Sequence, residues 1–249
     1  MTITAARPGA VGDQVIRLVM FQVARGVLTG RLRNTSDPLG GHLTRHEVTG
    51  ILGGAAAEFA RLARGLPDEP TAGSRLCVRL AAWTLALDRA LQACGNTAAD
   101  SRTLTADVAW AAYRPFAAAS ALPARLFLRE PRARLRALAR SGDRFPFNQP
   151  GWRFNPVGGG GSAVDITRCP VAAYLLSQGA AGVCVAAWCG QDGPVAERWG
   201  AQLRRTGTLA TGAAACDFRY DIGPTGGSRR HSHDGTAPVR AERRTGGLG

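Results

Sequence analysis

The sequence predicts an α+β protein: an N-terminal helical bundle packed on a smaller C-terminal part with short antiparallel strands and two helices. Three observations carry this. Apolar residues recur at helical spacing as far as about residue 145. Alanine is abundant while aromatics make up only 6% of the chain, a composition suited to closely packed helices. At Phe145 the character changes to FPFNQPGWRFNP, whose prolines rule out a helix and open a segment of short β-type runs.

A chain of 249 residues can bury a sizeable core. The division expected is a flexible N-terminus over 1–12, a helical scaffold over 13–145, a cysteine-containing α+β part over 146–222 and a disordered tail over 223–249. Asp13 is the expected cap of a first helix over 14–28. A loop rich in Gly, Asn and Asp-Pro follows over 30–41. A second helix over 42–64 carries Val48, Leu52, Ala55, Phe59 and Leu62 on one stripe, and Gly65 and Pro67 stop it. A third, over 75–94 with Ser74 as cap, carries Leu76, Leu80, Trp83, Leu87 and Leu91. Cys77 and Cys94 lie on or beside that stripe and read as small core hydrophobes. A fourth helix over 104–114 has Asp107 in its first turn and ends or kinks at Pro115. A basic helix over 131–140 has Pro131 at its first position.

Beyond Phe145, residues 152–155 and 163–167 read as strands. A helix follows from Pro170, then an apolar segment over 181–189, a turn at 190–193 and a short helix over 195–199. Residues 203–210 and 215–220 read as a hairpin. The last 27 residues have few apolar side chains and are expected to be disordered.

All 31 basic residues are arginine and the formal charge is +13. The excess is concentrated in 125–144, with seven Arg against Glu130 and Asp143, and in the tail, with five Arg against Asp234 and Glu242. Neither stretch interleaves aromatics as a single-strand-binding surface does, so nucleic acid is not an expected partner. The apolar run over 15–28 is broken by Arg17 and Arg25 and is neither a signal peptide nor a membrane span. The expectation is a cytoplasmic protein with reduced thiols, a small-molecule partner and no membrane partner; its oligomeric state is not legible.

Four of the six cysteines fall between Cys169 and Tyr220. Pro170 after Cys169 makes that cysteine a helix N-cap, where unpaired amides lower a thiol pKa; a strand-ending cysteine with no such role is the equal alternative. Cys189 and Asp192 are three apart across a Gly-flanked turn. An ionised Asp disfavours a neighbouring thiolate, so Asp192 suits a base, a metal ligand or the partner of a cationic substrate, or simply a turn aspartate. Alternation along the last strand puts Cys216 and Phe218 on one face and Asp217 and Arg219 on the other. Cys184 reads as core. No cofactor is expected. Cys169, Cys189, Cys216 and Asp192 could together hold zinc, but none has the close Cys-x-x-Cys spacing of a structural site. His42 and His46, four apart on a helix, lack the remaining signature of a zinc protease. No histidine lies between Cys169 and Tyr220.

The ordered set Cys169-Pro170, Cys189 to Asp192, Arg205-Thr206-Gly207-Thr208-Leu209-Ala210 with Gly212, and Cys216-Asp217-Phe218-Arg219 resembles the L-2-amino-thiazoline-4-carboxylic acid hydrolase family over residues 145–220. The resemblance implies hydrolytic opening of a cyclic amidine at a C–N or C–S bond to a carbamoyl-amino-acid product. It makes Cys169 or Cys189 the candidate nucleophile, with Cys216 beside them, and Asp192 the partner of the amidinium. Arg205, then Arg219 with its neighbour Asp217, are candidates for binding the substrate, the arginines through its carboxylate. Thr208 would orient water or donate to the tetrahedral intermediate. A secondary-metabolism tailoring enzyme for another heterocycle or amide, and a non-catalytic small-molecule- or metal-binding module, are the alternatives.

Overall fold

The computed structural model describes residues 10–32, 41, 43–158 and 162–222. It is an α+β protein in which five helices precede a four-stranded antiparallel sheet and the short helices inserted within it. The tail over 223–249, His42, His231 and His233 lie outside the described residues.

Helix α1 (Ala10–Leu28) starts four residues ahead of expectation, so Asp13 lies inside it. Helix α2 (Arg45–Ala63) is fixed by a capping box. The Glu47 amide donates to Thr44 Oγ1 at 3.3 Å, and the Thr44 amide donates to the Glu47 carboxylate at 2.7 Å. The expected stripe of α2 is buried, joined by Ile51. Of its three glycines only Gly54 meets another helix, 3.5 Å from the Ala90 methyl measured from a Cβ position.

Helix α3 (Ala72–Ala93) is the central element. Residues 81–88 are buried on every side, as expected of a helix surrounded by others. Its cap is Thr71, not Ser74; Ser74 is the third helical residue, and its hydroxyl oxygen accepts the Thr71 amide at 3.2 Å. Cys77 is buried, but Cys94 caps the exposed C-terminus and is no part of the core. The first turn of α3 presses on the Pro-rich segment over 145–151. A Cβ on Gly73 would stand 2.0 Å from the Pro146 carbonyl oxygen, so a side chain there has no room.

Helix α4 (Ala98–Phe127) departs most from expectation. It is capped by Thr97, carries Asp100 rather than Asp107 in its first turn, and runs through both Pro115 and Pro123. Each proline forfeits one backbone hydrogen bond, but strong helix formers surround them, and Ala121 and Ala124 pack on Leu138 of helix α5 (Pro131–Arg144). Packing outweighs the local breaker. The α5 start is as expected, with Pro131 first and the Glu130 carboxylate accepting the Arg132 and Ala133 amides.

The C-terminal part contains strands β1 (Arg153–Pro156) and β2 (Ala163–Arg168), helices α6 (Pro170–Ser177), α7 (Ala181–Ala187) and α8 (Asp192–Arg198), and strands β3 (Gln202–Arg204) and β4 (Cys216–Asp221). The strand order is β1-β2-β4-β3. β3 and β4 pair as expected, but only over three residues; the chain between them forms an eleven-residue loop with a 3-10 turn at Leu209–Thr211. One hydrophobic core runs from Met20 in α1 to Phe218 in β4. Polar ties cross from the N-terminal part to this one, two of them near the site. Arg168 pairs with the buried Glu69 at 3.0 Å, and the Trp188 indole donates to Thr84 of α3 at 3.2 Å.

Candidate active site

The site forms where four chain segments meet: the β2–α6 junction, the end of α7, the start of α8, and the loop into β4. Each contributes a group for a local reason. Cys169 follows β2 in extended conformation and is the N-cap of α6, its sulfur accepting the Ala172 amide at 3.4 Å. That bond favours the thiolate, but burial outweighs it and drives the Cys169 thiol well above its ordinary range. A reactive, depressed thiol is therefore not what this cap produces.

Cys216 lies on the inward face of β4, opposite Ile166 of β2, and Phe218 shares that face. Its sulfur accepts the Leu209 amide at 3.2 Å, and burial again raises its pKa. Cys189 opens the 3-10 turn Cys189–Gln191 between α7 and α8 and is half-buried. Its thiol alone in this group is lowered. Hydrogen bonding from Cys184 is the main cause, with the Arg205 charge and the Thr208 hydroxyl adding to it against burial and the charge of Asp192. Cys184, deeper on α7, is correspondingly raised and keeps its proton. Of the two thiols, Cys189 is therefore the more readily ionised.

Asp192 begins α8, and Arg205 grips it at 2.5 Å while donating to the Cys189 carbonyl oxygen at 3.0 Å. One guanidinium therefore fixes the thiol-bearing turn and the carboxylate relative to each other. Arg205 is itself stacked over Phe218, 5.3 Å from the ring centre. Burial pushes Asp192 up to about 6 even against Arg205. Tyr113 of α4 and Tyr220 of β4 lie within electrostatic range of Asp192, and burial, with its charge adding, raises both phenols. Thr208 is buried, caps the Leu209–Thr211 turn and points its hydroxyl to Cys189 as well as to Thr211.

Asp217 and Arg219 are on the opposite face of β4 and do not join this group. Asp217 accepts the amides of Thr206 and Gly207 at 3.0 and 2.8 Å and the Thr206 hydroxyl at 2.7 Å, which holds its carboxyl far below the usual range. It anchors the loop that carries Arg205 and Thr208. Arg219 pairs with Asp165 at 2.8 Å across the sheet. The six cysteines are free thiols, and among the described residues no group of three or more His, Cys, Asp or Glu side chains is arranged to hold a metal ion. His46 is exposed on α2.

Sequence reasoning placed Cys184 in the core, where it is buried, but missed its pairing with Cys189 and missed the two tyrosines. The pairing was hidden by the apolar neighbours of Cys184, although its place five residues before Cys189, across the end of α7, was a usable signal. Nothing local marks Tyr113, which reaches the site because α4 packs against α7 and α8.

Fold and site together define an α+β protein whose cysteine cluster sets Cys189 beside a carboxylate–guanidinium pair. A family model for L-2-amino-thiazoline-4-carboxylic acid hydrolase matches residues 81–220, more than half of the chain. The chain belongs to that family. The match begins within α3 and takes in α4 and α5, so it extends beyond the motifs over 145–220 to the helices that support them. No curated protein and no solved structure matches the chain.

Proposed function

We propose that this protein is a hydrolase that opens a cyclic amidine of the 2-amino-thiazoline-4-carboxylate type, with Cys189 as nucleophile. The observation that carries the reading is the convergence of Cys189, its donor Cys184, and the Asp192–Arg205 pair at one turn.

The ring carbon between nitrogen and sulfur is electrophilic, more so when the amidine is protonated. Asp192 receives the amidinium N–H groups, and with a pKa of about 6 it exchanges a proton with ring nitrogen near neutral pH. The Cys189 thiolate adds to the ring carbon, and the C=N electron pair moves to nitrogen. The tetrahedral adduct collapses by breaking the ring C–S bond, which leaves an isothiourea on Cys189 and a free substrate thiol. Water then adds to the same carbon and the Cys189 thiolate departs, leaving a carbamoyl group on the substrate nitrogen. Arg205 spends two of its five N–H donors on Asp192 and Cys189, so donors remain for the substrate carboxylate. Thr208 supports the thiolate.

Turnover of 2-amino-thiazoline-4-carboxylate, followed through the released thiol, tests this with single Cys→Ser variants. Cys189→Ser is expected to lower kcat by about 10³-fold or more. Cys169→Ser retains a capping oxygen for α6 and should cost far less. Full activity in a folded Cys189→Ser variant would end the nucleophile assignment, and collapse of Cys169→Ser alone would transfer it to Cys169.

A further inference from the structure

The distal half of α4 has two apolar sides, and the described residues cover only one of them. Ala117, Ala121 and Ala124 form the buried stripe facing α5 and α8. Round the rest of the helix, Pro115, Phe116, Ala118, Ala119, Leu122, Pro123, Leu126 and Phe127 are exposed, and at helical spacing they occupy half its circumference without a charge. Exposure rises toward the tip, from 56% at Leu122 to 70% at Leu126 and 82% at Phe127. Such an open run of large apolar side chains marks an interaction surface.

The chain around the tip indicates what covers it. Directly after Phe127 come the exposed Arg129 and Arg132, with Arg136, Arg140 and Arg144 exposed further along α5. Of the two acids in this stretch, Glu130 caps α5 and pairs with Arg136 at 3.6 Å, and Asp143 lies at the far end of α5. An apolar tip set in an arginine collar matches a surface with an apolar interior and anionic headgroups. A second copy fits less well, because docking tip to tip would bring two such collars together. We propose that the α4–α5 hairpin seats its tip in the interface of an anionic lipid bilayer. The expectation of no membrane partner rested on the missing span. No helix among the described residues is long and apolar enough to cross a membrane, and surface seating does not require one.

Co-sedimentation of the full chain with phosphatidylcholine vesicles, with and without phosphatidylglycerol, tests the proposal. Binding should be at least about tenfold stronger to the anionic vesicles and should weaken with salt. The double variant Leu126→Ser/Phe127→Ser should lose about tenfold or more of it, and Arg129→Gln/Arg132→Gln should narrow the difference between the vesicles. Both pairs are exposed, so unchanged thermal melting is the control for folding. Absence of binding to either vesicle overturns the proposal. So does a dimer, detected by light scattering, that the Leu126→Ser/Phe127→Ser variant abolishes.

Discussion

Asp192 is the residue whose environment most constrains the chemistry. Its carboxylate has the Arg205 charge at 2.5 Å, which lowers its pKa, yet burial prevails and raises it to about 6. A raised acid is neutral below that value, so the amidinium partner is present only above it. In the proposed mechanism kcat/KM should therefore rise through an apparent pKa near 6 on the acidic side. Asp192→Asn should remove that limb and reduce kcat/KM by about 10²-fold or more. A pH profile that keeps the same limb in the variant would assign it to another group. The same burial opposes folding, because ionising Asp192 is harder in the folded chain than in the unfolded one; the cost grows as the pH rises from the ordinary carboxylate value and is complete above about 6. The carboxylate's partner was legible in the sequence only as a candidate for the substrate; that Arg205 and Asp192 hold each other follows from the loop path, which spacing does not reveal.

At the scale of elements, the eleven-residue loop between β3 and β4 delivers both Arg205 and Thr208, and Asp217 is what holds it. The carboxylate gathers two amides and a hydroxyl, an arrangement an Asn cannot fully replace because one of its two heads is a donor. Asp217→Asn should leave the fold intact but lower kcat/KM by about tenfold or more through misplacement of Arg205. The sign of its pH dependence is fixed. A carboxyl held below its ordinary pKa stabilises the fold above about pH 4 and loses that contribution as the pH falls through its folded value. Thermal midpoints of wild type and variant should thus differ most near neutrality and converge in acid. A gap independent of pH would show that the anchoring is not electrostatic. The alternation that put Asp217 away from Cys216 was readable from the strand. The loop was not, because Leu209 and Ala210 continue the apolar pattern of β3 while the Thr208–Thr211 box turns the chain. The same limit applies to α4: Pro115 is a breaker by every local rule, and only packing against α5 and α8 keeps the helix running.

For the molecule as a whole, the helical layer and the site form one mechanical unit. The apolar stripes of α2 and α3 were legible because period and burial coincide there, and so was the change of character at Phe145. The coupling between the layers was not, since it depends on single long-range contacts such as Thr84 with Trp188, 104 residues apart. Thr84 is 2% exposed at the centre of α3, and Trp188 immediately precedes Cys189. Holding the indole therefore holds the turn that carries the nucleophile. Thr84→Val keeps the shape and removes the acceptor, which should cost about 1–3 kcal/mol of stability because the indole N–H is left half-buried and unpaired. Trp188→Phe removes the donor, and once it is gone Thr84→Val should cost little more. A double-mutant cycle on chemical denaturation should report that non-additivity, and turnover should fall in each single variant as the turn loosens. Strict additivity would mean that the hydrogen bond transmits nothing, and the helices would then support the site by apolar packing alone.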